Sequence, residues 1–225
     1  AKIQKDTLAT PEAEFNVVIE EYKAFLEKFP KSSLAPFAHI LIGRTFILKK
    51  DYDSARSTFE RGAQQYQDKP GLAAQAVLEI ASTYSAQDNV DGVVKSYERL
   101  KRDFPLTEQG LKAPFTLAQI ESTTKALVTQ QQAFEKAIQY YRGLIVANPN
   151  SEVSFKSLFY IGSIHLYMKN WRPAVNVYGE ILLTYTEERY LTPTTLSILL
   201  KTINTVCVTE LNDYDYPVKI YGQFV

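Results

Sequence analysis

The sequence predicts an all-α fold of stacked helical hairpins, and two recurring patterns support this prediction first. Six segments carry an apolar residue, then a smaller or β-branched one, then an aromatic one at positions i, i+3 and i+7, which is the spacing of one helix face. Measured at the last residue of each triplet, successive copies are 37, 38, 44, 37 and 43 residues apart. A repeat of this length is typical of hairpins that stack on their neighbours. The triplets are Phe15-Val18-Tyr22, Tyr52-Ala55-Phe59, Val90-Val93-Tyr97, Phe134-Ala137-Tyr141, Trp171-Ala174-Tyr178 and Tyr214-Pro217-Tyr221.

An oxygen-bearing side chain stands immediately before four of these triplets. The residues are Asp51, Asn89, Asn170 and Asp213. A side chain of this kind accepts a hydrogen bond from a free N–H of the first helical turn, which contributes about 1 kcal/mol. Caps and triplets that recur in one register predict about five hairpins in a single solenoid domain over residues 1–225, with incomplete first and last repeats.

The first helix is predicted to begin at Thr10-Pro11 and to continue to about Phe29, where Pro30 ends it. The sequence given shows no partner helix before it, so we expect this helix to be either the second half of a hairpin whose first helix lies upstream of Ala1 or a cap on the array. Pro36 suits the first turn of the next helix, which leads the first complete hairpin.

The second hairpin is predicted to turn at residues 87–89 and to close at Phe104-Pro105. The third unit carries an insertion between about residues 106 and 134, since its triplet follows after 44 residues. We expect a longer leading helix that reaches Val128.

In the fourth hairpin, Pro173 follows Asn170 in the first helical turn, where a missing N–H costs nothing. A last pair of helices begins near Pro193. Pro217 occupies the position of the small residue of other triplets, so the final helix is predicted to start late, with Asp215 as its cap, and to span little more than two turns.

The composition excludes several classes of function. The 25 basic and 25 acidic residues cancel, which removes the broad attraction that nucleic-acid binding needs, so no nucleic-acid partner is expected. The single cysteine, Cys207, lies in an apolar run and excludes an intrachain disulfide. No stretch approaches the ~20 apolar residues of a membrane span. The oligomeric state does not follow from these data.

The repeated positions resemble the signature of the tetratricopeptide repeat (TPR) over nearly the whole chain. The resemblance implies a right-handed α-α superhelix in which small residues let two helices approach and an aromatic side chain fills the space between hairpins. The matching residues are Gly43, Phe46, Tyr52, Ala55, Phe59 and Gly62 in the first full unit, Ala81, Tyr84, Tyr97 and Pro105 in the second, and Gly162, Ala174 and Tyr178 in the fourth.

A narrower resemblance is to TPR proteins of the bacterial cell envelope, of the BamD-like and Tol-Pal coordinator types. It is carried by the segment from Tyr22 to Ala55, with Phe29-Pro30 and then Ser32 before the next helix. This resemblance implies a periplasmic or outer-membrane-associated protein; a cytoplasmic location is the alternative.

The sequence contains none of the usual catalytic motifs. A Gly-rich phosphate loop, a paired-His zinc motif and a Gly-x-Ser-x-Gly turn are missing, so we expect no enzyme, no cofactor and no metal. His39 and His165 lie on leading helices of different units, and packing accounts for both.

The leading helices of such a superhelix line its concave side in the family that the chain resembles, so their surface positions are the predicted partner-binding groove. Arg44 is the only residue there suited to a carboxylate clamp, and we therefore expect an apolar helix or extended segment as the ligand. The aromatic residues Phe37, Phe159 and Tyr167 are the predicted anchors. The groove residues are Phe37, Ile40, Arg44, Leu48, Leu78, Ser82, Phe159, Ser163 and Tyr167.

Three hypotheses follow. The first is a non-catalytic adaptor that binds a protein or peptide partner in the groove. The second is a structural module through which a larger polypeptide self-assembles, using the uncovered apolar faces of its end helices. The third, an acid-using enzyme, needs two facing carboxylates, and no leading helix carries an evident pair.

Overall fold

The computed structural model describes residues 11–124 and 127–224, and its regular elements there are all α-helices. Helices that are consecutive in the chain pack against each other through most of each half, as in an α-solenoid, and this confirms the all-α prediction. None of these helices combines the length and apolarity that crossing a bilayer requires. The helices are α1 (Pro11–Lys28), α2 (Ala35–Leu48), α3 (Tyr52–Gln65), α4 (Pro70–Ser85), α5 (Val90–Asp103), α6 (Glu108–Thr124), α7 (Leu127–Ala147), α8 (Glu152–Tyr167), α9 (Trp171–Thr184), α10 (Pro193–Thr209) and α11 (Asp215–Phe224).

The chain forms two compact units, Ala1–Gly110 and Leu111–Val225. Each unit has apolar clusters of its own. In the first unit, Ala55, Phe59 and Ile80 pack together between α3 and α4. In the second, one cluster joins α6, α7 and α8, and a larger one joins α8, α9, α10 and α11.

Glycine opposite an aromatic ring brings the two helices of a hairpin together. A Cβ atom placed on Gly43 of α2 would lie 2.3 Å from the ring of Phe59 on α3, and one on Gly162 of α8 would lie 2.5 Å from the ring of Tyr178 on α9. Both rings are buried, at 1% and 3% exposure. The space that the missing side chain leaves is therefore filled by the aromatic residue that ends the triplet.

The second hairpin uses the same pairing with the roles of the helices exchanged. Here the ring belongs to Tyr84 on the leading helix α4, and the glycine is Gly92 on α5, whose added Cβ would lie 2.3 Å from that ring. The triplet residues Val90 and Tyr97 of α5 are consequently less buried, with Val90 49% exposed. The triplet located this helix correctly but did not identify its closest contact.

Each of four hairpin turns places one residue in the left-handed conformation directly before the next helix cap. Lys50, at φ 61°, precedes Asp51, whose N–H bonds back to the carbonyl of Phe46 while its carboxylate accepts from the N–H of Ser54. This is the Schellman arrangement, in which a left-handed residue closes the helix. The other pairs of left-handed residue and cap position are Asp88-Asn89, Lys169-Asn170 and Asn212-Asp213.

The insertion in the third unit lengthens α7. In α3, α5 and α9 the first triplet residue begins the helix, whereas Phe134 follows two additional turns that start at Leu127. The leading helix predicted to reach Val128 is described to Thr124; residues 125–126 lie outside the described ranges, and Val128 belongs to α7. The prediction placed the additional residues in the wrong helix.

Tyr141 on α7 inserts its side-chain hydroxyl into α6 beside Pro114. The hydroxyl donates to the carbonyl of Leu111 at 2.7 Å and accepts from the N–H of Phe115 at 3.3 Å, which are the two groups that an unbroken helix pairs directly. A side chain that enters the backbone ladder is a known cause of helix bending. Burial raises the pKa of the Tyr141 hydroxyl far above its usual value, so the group stays a proton donor.

Both end helices differ from the predicted register. On α1 the buried side chain is Ile19, at 3% exposure, and the triplet residue Val18 is 37% exposed; among the described helices, α1 packs on α2. The last helix starts late as expected, but its cap is Asp213, which accepts from the N–H of Tyr216 at 3.0 Å. Asp215, the predicted cap, lies in the first turn of α11.

Replacing Gly43 with Ala tests the close approach of the first hairpin. The added methyl group would overlap the fixed ring of Phe59, so we expect Gly43→Ala to lower the free energy of unfolding by about 1–3 kcal/mol. Gly71→Ala on α4 is the matched control, because an added Cβ meets nothing within 4 Å; it should be neutral or stabilise by up to about 1 kcal/mol. Urea unfolding of both variants measures the difference, and equal stability would contradict the steric account.

Removing the hydroxyl of Tyr141 tests its insertion into α6. We expect Tyr141→Phe to cost about 1–3 kcal/mol, because two backbone groups lose a buried partner. The neighbouring variant Tyr140→Phe removes a half-buried hydroxyl and should change the stability little. Chemical denaturation followed by circular dichroism makes the comparison. A Tyr141→Phe protein as stable as Tyr140→Phe would show that α6 restores its own hydrogen bond.

Candidate functional site

A row of exposed apolar side chains on α2 forms the candidate site of the first unit. We call Leu34, Phe37, Leu41, Arg44 and Leu48 the α2 stripe. The four apolar members are 59%, 56%, 39% and 67% exposed, in chain order. Their spacing alternates between three and four residues, which keeps a row on one side of a helix along its length. The predicted anchor Phe37 and the predicted groove residue Leu48 thus lie at the surface.

The opposite side of α2 is buried in the unit. Ala35, Ala38, Ile42 and Gly43 are buried against the neighbouring helices. Arg44 is the only Lys, Arg, Asp or Glu among the 14 residues of this helix. A helix that is apolar on nearly all sides is normally enclosed by protein, so the exposed row makes this side of α2 a candidate interaction surface.

The charge of Arg44 is balanced by a buried carboxylate on α4. The guanidinium bonds Glu79 through Nε to Oε2 at 3.1 Å and through Nη2 to Oε1 at 2.6 Å. The side chain of Glu79 is 6% exposed, and that of Arg44 is 56% exposed. Gln75 also donates to Glu79 at 2.9 Å and itself accepts from Gln109 at 2.9 Å. One polar chain therefore links α2, α4 and the start of α6 within the first unit.

This network decides how Arg44 can contribute to binding. The hydrogen bonds to Glu79 raise the pKa of Arg44, and the pair is close to neutral. Arg44 is therefore not a free cation for a ligand carboxylate. Its methylene groups extend the apolar stripe between Leu41 and Leu48.

The other predicted groove residues of the first unit are Ile40 on α2 and Leu78 and Ser82 on α4. Ile40 and Leu78 are half-buried, so part of each belongs to the packing between helices. Ser82 is exposed, but its hydroxyl donates to the carbonyl of Leu78 at 3.2 Å. The structure therefore concentrates the exposed apolar surface on α2. The sequence analysis missed Leu34 and Leu41, which the alternating spacing could have identified.

In the second unit, two of the three predicted residues are engaged in internal contacts. The ring of Phe159 packs on Tyr178 at 5.6 Å and on Phe155 at 6.5 Å between ring centroids. Ser163 donates to the carbonyl of Phe159 at 2.9 Å, and its hydroxyl lies 3.2 Å from that of Tyr178. The structure thus ties Phe159 and Ser163 to the core, and Tyr167 is the exposed member of the set, at 48%.

Tyr167 lies on the wall of a cavity of about 450 Å³, which we call the Tyr167 cavity. The end of α6, the first half of α7 and the turn between α8 and α9 form its walls. The ring of Tyr167 lies 5.0 Å from that of Phe134 and meets Phe115 edge-on at 6.2 Å. The lining residues are Ser122, Thr123, Gln130, Gln131, Phe134, Tyr167, Met168, Lys169 and Asn170.

Asn170 lines the Tyr167 cavity. Its side chain does not form the cap hydrogen bond that its position before α9 predicts. Asp51 and Asn89 accept from the N–H of the residue three positions later, Ser54 and Gly92. The corresponding residue for Asn170 is Pro173, which has no N–H, and the Asn170 side chain makes no cap hydrogen bond. The predicted cap is therefore wrong at this position, and its amide is available to other partners.

Both histidines are half-buried among neighbouring side chains. Burial lowers the pKa of both His39 and His165, which keeps them neutral at pH 7. His39 meets the ring of Tyr66 edge-on at 5.8 Å. Among residues 11–124 and 127–224, no three His, Cys, Asp or Glu side chains are grouped so that they could hold a metal ion.

The comparisons with known proteins bear on the fold. No family model matches the chain, and no curated protein matches it. Among solved structures, the chain is similar to the crystal structure of BtubC (BKLC) from P. vanneervenii, with a TM-score of 0.51 and 14% sequence identity. The alignment covers 94% of this chain and 83% of that chain. At this identity the similarity shows the fold alone.

A double-mutant cycle tests the pairing of Arg44 with Glu79. Arg44→Met keeps an apolar stem but leaves a buried carboxylate with only Gln75 as a partner, so we expect a loss of about 1–3 kcal/mol in unfolding free energy. Arg44→Met combined with Glu79→Leu should recover most of this loss, since an apolar pair carries no desolvation cost. Arg102→Met, which removes an exposed pair with Asp103, should have little effect.

The measurement for this cycle is urea unfolding at neutral pH. Additive effects of the two substitutions would show that Glu79 does not depend on Arg44.

Proposed function

We propose that the protein is a non-catalytic scaffold that binds an amphipathic helix of a partner protein along the α2 stripe. The observation that supports this proposal is the exposure of Phe37 and Leu48 in a row with alternating spacing of three and four residues. Two helices that pack along their length meet through apolar residues with this average spacing of 3.5.

The dimensions of the α2 stripe suit a helical ligand. From Leu34 to Leu48 the row spans about 21 Å at 1.5 Å per residue, which is close to four helical turns. A bound helix would place apolar side chains at i, i+3, i+4 and i+7 against it. Because Glu79 balances Arg44, a neutral or apolar residue opposite Arg44 suits the surface better than a charged one.

The proposal also includes the number of hairpins and the handedness of their stacking. The recurrence of turn, cap and glycine–aromatic pair supports a TPR-like array of about five hairpins in a right-handed superhelix over residues 1–225. The resemblance to TPR proteins of the bacterial cell envelope supports a role in an envelope assembly, at a periplasmic or outer-membrane-associated location.

Self-assembly is the second candidate function, and the end helices favour it. On α1, Val17 is 57% exposed, and near the other end Tyr214 and Val218 are 64% and 71% exposed. Uncovered apolar residues on end helices suit docking onto a neighbouring repeat module. Light scattering of the dilute protein distinguishes the two candidates, since a monomer speaks against self-assembly.

A designed peptide tests the proposed site. The probe is a fluorescent 21-residue amphipathic helix with leucine at alternating spacings of three and four, and a peptide of the same composition in scrambled order is its control. We expect the helix to bind the full chain and Phe37→Glu or Leu48→Glu to weaken binding by about 10- to 100-fold, because each removes an apolar contact and buries a charge. Fluorescence anisotropy measures the dissociation constants.

Val146→Glu is the matched protein variant, because Val146 is an 82% exposed valine on α7, outside the stripe. It should bind the probe like the unmodified protein. Equal binding of the scrambled peptide, or undiminished binding by Leu48→Glu, would refute the assignment of the site to α2.

A further inference from the structure

We propose that the Tyr167 cavity is a saccharide-binding site, in which a sugar ring stacks on Tyr167 while the surrounding amides and hydroxyls bond its hydroxyl groups. This site lies within the second unit and does not depend on the helix-binding function proposed for α2. Its volume, about 450 Å³, falls within the range of small-molecule sites, which combine an apolar wall with a few converging polar groups.

The ring of Tyr167 is a prepared stacking surface. Phe134 at 5.0 Å and Phe115 at 6.2 Å pack against it, and 48% of the residue remains exposed. A pyranose ring has an apolar face of C–H groups and hydroxyls around its edge. An aromatic face can cover the C–H groups without leaving a polar group unpaired, and a ring already fixed by its neighbours loses little conformational freedom on binding.

The polar groups of the cavity offer both donors and acceptors. The hydroxyl hydrogens of Ser122 and Thr123 are used on the carbonyls of Gln119 and Ile120, at 2.7 Å and 2.8 Å. The exposed Thr123 oxygen is therefore left as an acceptor for a ligand, whereas the buried Ser122 oxygen already lies 3.4 Å from the hydroxyl of Tyr167. Sugar hydroxyls can donate to such groups.

Two amides complete the set. The Nε2 of Gln131 donates to Glu135 at 3.0 Å, which leaves its carbonyl oxygen as an acceptor. The amide of Asn170 makes no cap bond, because Pro173 has no N–H, and it supplies a donor and an acceptor together. A hydroxyl group both donates and accepts, so a polyhydroxylated ring satisfies this mixed lining better than an apolar ligand does.

The charge of the lining restricts the sugar further. Lys169 is the only member of the described lining set that is charged at neutral pH, and no carboxylate belongs to that set. It follows Met168 in the left-handed position of the turn, at φ 57°. The site therefore suits a neutral sugar or one with a single carboxylate and disfavours an amino sugar with a free ammonium group.

The single tryptophan of the chain provides the readout. Trp171 is half-buried and directly follows Asn170 at the cavity rim. The full chain is titrated with the methyl glycosides of glucose, galactose, N-acetylglucosamine and glucuronic acid while the Trp171 fluorescence is recorded. We expect a saturable change with at least one of them, and tighter binding of the glucuronide than of the glucoside because of Lys169.

Three variants locate the binding. Tyr167→Ala should weaken the affinity for the bound sugar by about tenfold, through loss of the stacking face. Tyr214→Ala, at an exposed tyrosine outside the cavity, should leave it unchanged. Asn170→Ala should weaken binding with no change in melting temperature, since this side chain caps no helix. Lys169→Gln should abolish the preference for the glucuronide.

The outcomes separate the alternatives. Saturable binding that Tyr167→Ala weakens and Tyr214→Ala does not supports the saccharide site. The proposal is overturned if none of the four glycosides gives a saturable response. It is also overturned if N-acetyl-phenylalanine amide binds at a lower concentration than every glycoside, since the ligand would then be a peptide side chain. Circular dichroism of each variant verifies that its helices are intact. Whether the designed helix binds the α2 stripe does not depend on any of these outcomes.

Discussion

The close approach of two helices within a hairpin is the constraint on which the rest of the structure depends. Wherever it is clearest, a glycine leaves no side chain and an aromatic ring occupies the space, as with Gly43 and Phe59 or Gly162 and Tyr178. The ring is large enough to fill the space alone, and a single added methyl group overlaps it. The contact thus fixes both the separation and the rotation of the paired helices.

The rotation set by this contact determines which residues of α2 are left outside. Because Gly43 is directed toward α3, Ile42 is buried as well, and the row of α2 that includes Phe37 and Leu48 remains at the surface. The charge in that row does not convert it into an ionic site, because Glu79 lies beneath it with its carboxylate bonded twice by the guanidinium of Arg44. A nearly neutral, apolar surface is therefore a consequence of how α2, α3 and α4 pack.

Local backbone chemistry has a similar consequence in the second unit. The turn after α8 repeats the geometry of the other hairpin turns, with Lys169 left-handed and Asn170 in the cap position. Proline at position 173 removes the N–H that an asparagine in this position would bond. The recurring turn thus carries an asparagine whose side chain caps no helix, and this side chain lies at the edge of the cavity whose wall contains Tyr167.

The sequence by itself determined the helices, because the apolar period, the caps and the prolines act within a few residues of chain. It located α3, α9 and the late start of α11. It also identified the missing N–H of Pro173, but not the consequence that the Asn170 side chain forms no cap hydrogen bond. Tertiary structure alone decided the exchange of roles between Tyr84 and Gly92, since either helix of a pair can supply the ring. It also decided which of the predicted groove residues are exposed. The bond between Arg44 and Glu79 joins residues 35 positions apart, and such a contact depends on the rotation of two helices, which a one-dimensional spacing does not specify.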